Sequence, residues 1–541
     1  MRLDRAFTKF LCAACGTYVL ARRGIVFWAA LGLVAVFCFC NGSARAAGLP
    51  CEKLESTALK NGAVTLTQIV QAGAFTPPDA AGVAEAQKER VAQAFKELPA
   101  FCRVAVTLKP TSDSDIRVEV WLPIAGWNGR LLGVGNGGWG GVINYSGLAQ
   151  GLHKGFVTVS TDMGTGGFSN TDRSTWAVLK SNGRLKDFGF RSTHLMTVAS
   201  KLYIQAFYGK SPQYSYWNGC STGGKQGLAE AQRFPKDYDG IVEGDPASYF
   251  THLMFSLQWY GRAARSDPAG PIPVEKLQLL HQAVLNACDA LDGVADGIIS
   301  DPESCHYDPK QLACRKNDGP NCLTSSQIKM VAALYGGAKN PRTGVQVFPG
   351  QVLGSELGWG GMLHIPGPTL TSLSYFQFAL HRDPKWDEQT LNFDSDLAAA
   401  DRANGEILND IDPDLREFEA RGGKLIMFHG WSDPIISPLE SVEYYKDVIA
   451  AVGGASQAAG FVRLFMLPGV GHCQGGPGAD SFDKISAIED WTEHGIAPDS
   501  LVAVHREKNG VTLSRPLCNY PKTAHWKGNS DASSAGNFTC Q

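Results

Sequence analysis

Tyr214-Ser-Tyr-Trp-Asn-Gly-Cys-Ser-Thr-Gly-Gly-Lys-Gln-Gly-Leu-Ala-Glu-Ala-Gln-Arg-Phe234 begins with strand-forming residues and ends on helix-forming ones. Between the two, Gly219, Ser221 and Gly223 spell G-x-S-x-G, the pattern of a serine held on a sharp strand-to-helix turn. A strained turn needs neighbours without a Cβ, because the chain must pass close to itself for the hydroxyl to project. The helix that follows aims its partially positive N-terminus at the place where an oxyanion would form. Taken alone, the same five residues also describe a glycine-rich turn with an incidental serine, so an acid and a base are required elsewhere.

Both occur in matching settings. The apolar run Lys424–Phe428 leads into His429-Gly-Trp-Ser-Asp433-Pro, and Val462–Leu467 leads into Pro468-Gly-Val-Gly-His472-Cys473. A serine hydroxyl is a poor nucleophile until a base takes its proton, and that base is oriented by a carboxylate. The chain order Ser221, Asp433, His472 is that of an α/β hydrolase and differs from the chymotrypsin and subtilisin orders. Asp245 also follows a strand-like run, Ile241–Gly244, and competes for the role of acid. His429 reads as a loop hydrogen-bonder. Cys220 precedes the candidate nucleophile and Cys473 follows the candidate base; closeness of Ser221 and His472 would let them form a disulfide, unless each pairs elsewhere.

Upstream, Ile116–Leu122 alternates as a half-buried strand, Arg130–Val134 reads as a buried one, and Gly135-Asn-Gly-Gly-Trp-Gly-Gly141 follows as a glycine-rich loop. An oxyanion hole needs two converging backbone N–H groups, here one from Thr222 and one from this earlier loop. Further strands are expected at Gly155–Ser160 and Tyr214–Asn218, with helices at Ala81–Leu98 and Phe188–Tyr208, and residues 51–102 otherwise read as a mixed segment. This alternation predicts an α/β fold of the α/β-hydrolase type, with a mostly parallel sheet covered on both faces. From residue 249 to 405 the alternation is lost in favour of helical segments, cysteines and Pro/Gly-rich loops, which reads as a large inserted lid domain. The expected organisation is a signal peptide (1–47), a first hydrolase part (48–248), the insert (249–405) and a second hydrolase part (406–541).

The 541 residues, 44% hydrophobic and 19% charged, suit an ordinary globular protein. Arg2, Arg5, Lys9, Arg22 and Arg23 precede the apolar run Gly24–Cys40, and Ala44-Arg-Ala46 offers a cleavage site, so an export signal and a secreted or periplasmic location are expected, an uncleaved anchor being the alternative. Its removal leaves a more acidic chain than the formal charge of −3, with no general affinity for nucleic acid and no stable membrane association. Ten of the 14 cysteines then remain, an even number that implies disulfides, with local pairs offered by Cys288 and Cys305, Cys314 and Cys322, and Cys518 and Cys540. Thiolate metal binding is disfavoured, since no C-x-x-C pair follows the signal.

Cys288-Asp-Ala-Leu-Asp-Gly-Val-Ala-Asp-Gly-Ile298 places three carboxylates and two glycines in one short loop, with spacing unlike an EF-hand. Calcium held by Asp289, Asp292 and Asp296 with the carbonyls of Val294 and Ile298 is one reading, and a solvated acidic loop is the other.

G-C-S-T-G-G, the Asp433 turn, G-H-C and the C-D-x-x-D-G-x-x-D-G loop together resemble the tannase and feruloyl esterase family, with similarity from Cys51 to Cys540. The resemblance implies an α/β-hydrolase domain with a lid carrying a structural calcium, a triad of Ser221, His472 and Asp433, and oxyanion donors at Gly138 and Thr222. It also implies calcium ligands at Asp289, Asp292, Val294, Asp296 and Ile298, no organic cofactor, and the pairs Cys51–Cys102 and Cys220–Cys473 beside the three local ones. Some members hold a substrate carboxylate with a lid arginine; here the stretch around Trp359 has Gly360, which disfavours a free-acid half-ester of terephthalate.

The expected function is hydrolysis of esters of aromatic acids, of feruloyl or galloyl type, with a small-molecule ester as partner. Trp139 and Trp359 are candidates for the acyl pocket or for the core. Hydrolysis of aromatic polyester fragments, a peptidase or acyltransferase with the same triad, and a calcium-stabilised binding protein with a vestigial site are the competing readings.

Overall fold

The computed structural model describes residues 48–78, 93–166, 182–362, 370–508, 510–528 and 531–541. The expected signal peptide and most of the helix expected at Ala81–Leu98 lie outside these residues.

Among the described residues, nine strands form one sheet: β1 (Gly62–Val70), β2 (Phe101–Leu108), β3 (Ile116–Pro123), β4 (Arg130–Val134), β5 (Val157–Thr161), β6 (Tyr214–Cys220), β7 (Gly240–Gly244), β8 (Lys424–Gly430) and β9 (Val462–Leu467). Their order across the sheet is β1-β2-β3-β5-β4-β6-β7-β8-β9. The β1/β2, β2/β3 and β3/β5 junctions are antiparallel, and every junction from β5/β4 to β8/β9 is parallel. The sheet is therefore mostly parallel, as the sequence predicts. The parallel half carries all the strand ends that bear candidate catalytic residues.

The central strands bury both faces, with β5, β7 and β9 enclosed along their whole length. Period two sorts their side chains: Trp217, Ile241 and Met427 join the core on one face, and Tyr216, Val242 and Phe428 join the core on the other. Among the described residues, eight helices of eight residues or more accompany the strands: α1 (Tyr145–His153), α2 (Ser192–Tyr208), α3 (Thr222–Arg233), α4 (Phe250–Ser266), α5 (Val274–Cys288), α6 (Ser325–Gly336), α7 (Pro438–Ala451) and α8 (Lys484–His494). Arg130 of β4 donates to Glu493 of α8 at 2.6 and 2.7 Å, and the Tyr216 hydroxyl donates to the same carboxylate at 2.6 Å.

Two expectations need correction. The segment from 51 to 102 contains β1 and the start of β2, an antiparallel edge whose outer strand is half exposed and bulged between Val64 and Leu66. The helix expected from Phe188 is continuous with helical turns from Gly183, and residues Asp187–Arg191 are wound as a π-helix. A π turn shifts the apolar face by one residue, which breaks the 3.6-residue period that marks a helix start in sequence.

Between β7 and β8 the chain leaves the sheet and builds a separate core around Phe255, Leu280, Val331, Trp359 and Phe376. That core also takes in Trp139, Met163, Leu185 and Phe188, residues that precede the elbow. The insertion thus shares its core with the loops at the sheet edge.

The return from the insertion is fixed by a buried ion pair. Lys225 of α3 is fully enclosed and donates to Asp410 at 2.6 Å and to the Gly189 carbonyl at 2.8 Å, while Arg233 donates to the other Asp410 oxygen at 2.9 Å. Removing one partner strands a buried charge, whereas the intact pair roughly breaks even against its desolvation. Lys225→Met is expected to cost roughly 3 kcal/mol in urea unfolding, the low end for a broken buried pair because Arg233 still faces Asp410.

Candidate active site

Ser221 sits between β6 and α3 with φ 64° and ψ −122°, a backbone that a side-chain-bearing residue adopts only under constraint. The constraint is on the neighbouring strand. The Ser221 amide donates to the Gly244 carbonyl at 2.9 Å, and its carbonyl accepts from Ala247 at 3.2 Å. A Cβ on Gly219 would lie 2.4 Å from the Gly223 carbonyl oxygen, so the tight elbow needs glycine there.

The glycine-rich loop after β4 presses directly on this elbow. A Cβ on Gly135 would lie 2.6 Å from the Gly223 Cα and 2.9 Å from the Gly219 Cα. Asn136 donates its amide to Gln226 Oε1 at 2.9 Å and its side chain to the Thr161 and Val142 carbonyls. The Gly141 amide donates to Thr165 Oγ1 at 2.8 Å. Gly138 has φ 73°, and its carbonyl accepts from the Thr222 hydroxyl at 2.6 Å. Among the described residues the Gly138 amide has no protein acceptor, and Thr222, as the first residue of α3, has no carbonyl a turn behind it. The two expected oxyanion donors thus lie on segments joined by a short hydrogen bond.

Asp433 is fully buried and follows β8 in a turn closed by its amide on the Gly430 carbonyl at 3.1 Å. Its Oδ1 accepts from the amides of Ile435 and Ile436 at 2.8 and 3.1 Å, and its Oδ2 lies 2.6 Å from His472 Nδ1. Burial works against the charge, yet the His472 and His429 imidazoles hold this carboxyl well below the usual range. Burial likewise disfavours a charged His472, but the Asp433 carboxylate overrides it and pushes the imidazole up from its ordinary value. Asp245 does not take the acid's place: it accepts from the Gly430 amide at 3.1 Å, while His472 pairs with Asp433.

Cys220 and Cys473 are joined, with a Cα separation of 6.0 Å. Their neighbours Ser221 and His472 are each one peptide link away, which limits the Cα separation of those two residues to roughly 14 Å. The other four pairs are Cys51–Cys102, Cys288–Cys305, Cys314–Cys322 and Cys518–Cys540, the full set implied by the family resemblance.

In the acidic loop, Asp289 accepts from the amides of Asp296, Gly297 and Ile298, and Asp292 accepts from Val294 and the Ser300 hydroxyl. Asp296 is paired with Arg515. Burial, with neighbouring carboxylates adding to it, raises Asp292 and Asp296 above the usual range. Oxygens of the three carboxylates do not all come within 4.8 Å of one another. The carbonyls of Val294 and Ile298 accept no protein hydrogen bond among the described residues.

Trp139 and Trp359 are both 1% exposed, so they belong to the core and present no open face to a pocket. The positioning roles of Asn136, Gln226 and Thr165 carry no sequence motif; the available signal was two polar residues, Lys225 and Gln226, on a helix that is enclosed.

A strand-to-helix elbow, an acid turn and a histidine turn at the ends of parallel strands define an α/β hydrolase. The chain matches the model of tannase and feruloyl esterase over residues 102–541 and belongs to that family, a group of carboxylic ester hydrolases. An uncharacterized esterase of Xanthomonas campestris pv. campestris is 34% identical over 91% of each chain. Feruloyl esterase B of Aspergillus niger is 31% identical over 81% of this chain and 86% of its own. The crystal structure of feruloyl esterase B from Aspergillus oryzae superposes with a TM-score of 0.80 at 28% identity, covering 91% of this chain and 99% of that one. The tannin acyl hydrolase of Aspergillus niger shares the fold, with a TM-score of 0.73 at 21% identity over 92% of this chain and 94% of that one.

The contact between Gly135 and the elbow generates a test. Gly135→Ala is expected to push the loop off the elbow and lower kcat on p-nitrophenyl acetate by about tenfold or more, since losing one oxyanion donor costs about 10²–10³. An unchanged kcat would separate this loop from the oxyanion.

Proposed function

We propose that the protein is an exported esterase that cleaves esters of aromatic acids through an acyl-enzyme on Ser221. The observation that carries the reading is the 2.6 Å contact of His472 Nδ1 with the buried Asp433, on a loop tied by the Cys220–Cys473 disulfide to the residue beside Ser221. With Nδ1–H donated to Asp433, the Nε2 lone pair is left to act as base. His472 takes the Ser221 proton as the hydroxyl oxygen attacks the ester carbonyl. The amides of Gly138 and Thr222 donate to the oxyanion, His472 returns the proton to the leaving alcohol, and water reverses the sequence to release the acid.

Feruloyl esters are the favoured substrates because relatives at about this divergence are named feruloyl esterase B; galloyl esters are the nearest extension. Packing of the insertion between β7 and β8 on Trp139, beside Gly138, supports its reading as the lid.

The acidic loop suits a hard cation by donor chemistry. Its donors are all oxygen, the carbonyls of Val294 and Ile298 are uncommitted, and left-handed Gly293 (φ 96°) and Gly297 (φ 83°) allow the loop its turns. Asp289, Asp292 and Asp296 with those carbonyls would hold calcium, which would neutralise the carboxylates and brace the insertion without taking part in the reaction.

Purified protein and Ser221→Ala are to be incubated with methyl ferulate, methyl gallate, p-nitrophenyl acetate and a peptide panel. Ferulate release by the native protein and a loss of at least about 10³-fold in the alanine variant are expected. Cleavage of peptides alone, or equal turnover by Ser221→Ala, would overturn the reading. For the metal, chelation is expected to lower the Tm and added calcium to restore it, with about 2.7 kcal/mol at stake when free calcium is a hundredfold above Kd. A Tm indifferent to both treatments removes the calcium from the account.

A further inference from the structure

Behind the Asp433–His472 pair lies a second acid and a second imidazole. His429, the penultimate residue of β8, is fully buried, and so is Asp245, which follows β7. His429 Nε2 lies 3.1 Å from the Ile436 carbonyl, 3.3 Å from Asp433 Oδ2 and 3.6 Å from Asp245 Oδ1. Its Nδ1 lies 2.8 Å from Ser441 Oγ. All three neighbours of Nε2 are acceptors, which fixes the tautomer. Nε2 must carry the proton, and the Ser441 hydroxyl donates to Nδ1 when the ring is neutral.

Asp245 occupies the centre of the strand-end cluster. Its backbone is left-handed at φ 41°, its amide donates to the Phe428 carbonyl at 2.9 Å, and its Oδ1 accepts from Gly430. Its Oδ2 touches the Cys220 sulfur at 3.3 Å; a disulfide sulfur has no hydrogen, so this is a packing contact. One ligating atom each of Asp245, His429 and Asp433 falls within 4.8 Å of the others.

We propose that His429 is a positioning residue for the ester hydrolysis: its Nε2–H, held between the Ile436 carbonyl and Asp433 Oδ2 with the Asp245 carboxylate nearby, sets the rotation and charge of the carboxylate orienting His472. The proposal rests on the Ser221–His472–Asp433 reading. Asp433 Oδ1 is committed to two amides, so its Oδ2 is left for His472 and His429 alone. Without the second donor, Oδ2 concentrates its charge on His472 and the carboxylate loses one of the contacts that hold its plane. Asp245 adds its charge 3.6 Å from His429 Nε2, and burial pushes Asp245 itself up, with His429 opposing.

The signs of two substitutions follow. His429→Leu strengthens the hold of Asp433 on the His472 proton, so the acid limb of kcat/KM moves to higher pH. Asp245→Asn removes a negative charge that favours protonated His472, so the limb moves to lower pH. The other charged groups around the cluster are Glu243 of β7, Glu440 of α7 beside Ser441, and Lys484 of α8 on the Asp245 side. They stay unchanged in both variants.

The test uses the full-length exported protein, a p-nitrophenyl ester, and pH profiles of His429→Leu, His429→Gln and Asp245→Asn, with burst titration counting competent sites. His429→Leu is expected to lose kcat by about tenfold or more with KM within about twofold, and His429→Gln, which keeps an N–H for the carboxylates, to recover most of it. The two acid limbs are expected to move in opposite directions. Native kcat and an unmoved limb in His429→Leu would overturn the proposal. Should the leucine variant not fold, an unshifted limb in both His429→Gln and Asp245→Asn overturns it instead. Ser221→Ala and His472→Ala run alongside: activity in these sinks the triad itself, whereas inactive triad variants with a fully active His429→Leu sink the role of His429 alone.

Discussion

The site depends on one strained residue. Ser221 holds a left-handed φ that costs of order 1–3 kcal/mol, and such strain persists only where surrounding structure over-determines it. Here the determination comes from sheet register. β6 and β7 pair in parallel with Cys220 opposite Gly244, and the Ser221 amide continues that ladder onto the Gly244 carbonyl. The next strand supplies the same kind of hold, because Asp245 donates to Phe428 and accepts from Gly430 of β8. Three adjacent strand ends therefore position Ser221, a buried carboxylate and the Asp433 turn through main-chain hydrogen bonds and the Asp245 side chain. Loops alone would not fix them so closely.

Close approach of glycines does the same across the other side. Gly135 and Gly219 meet Gly223 at distances that leave no space for a Cβ on either, so the loop after β4 lies against the elbow and Thr222 reaches the Gly138 carbonyl. The loop's two ends are held by buried polar side chains, Asn136 and Gln226 at the start and Thr165 at the end, each with its hydrogen bonds satisfied within the protein. A satisfied buried network of this kind rigidifies what it connects. The Cys220–Cys473 link adds a covalent tie across 253 residues of sequence, between segments that chain connectivity leaves independent.

How far this was legible in the sequence depended on whether a feature is local. Strand β9 reads from its apolar run, and the elbow, acid turn and histidine turn read from short motifs, because each is a strand end followed by a tight turn. The parallel central strands were visible for the same reason: continuous burial makes them continuously apolar. The antiparallel edge β1–β2 was missed since Thr65, Thr67 and Gln68 dilute its pattern and a bulge shifts its period. In sequence Asp245 competes for the role of acid and His429 reads as a loop hydrogen-bonder. That they instead stand behind Asp433 is a fact of strand order, with β7 beside β8, which no local pattern encodes.

The insertion adds the last constraint. Its core closes over Trp139, whose ring stacks on Phe250 of α4 with centroids 5.0 Å apart and meets Phe188 and Tyr375 edge-on. Trp139 follows Gly138 directly in the chain, so the packing of the insertion and the placing of an expected oxyanion donor share one backbone segment. The insertion's exit is likewise fixed on the helix that begins at Thr222, through Asp410 and the enclosed Lys225. Both expected oxyanion donors are thus anchored to the same inserted structure, one through an aromatic stack and one through an ion pair. A change in the insertion's packing therefore acts on the backbone around both expected donors. Side chains that reshape the insertion also move the segments carrying Gly138 and Thr222, so under the proposed mechanism substrate preference and rate are coupled.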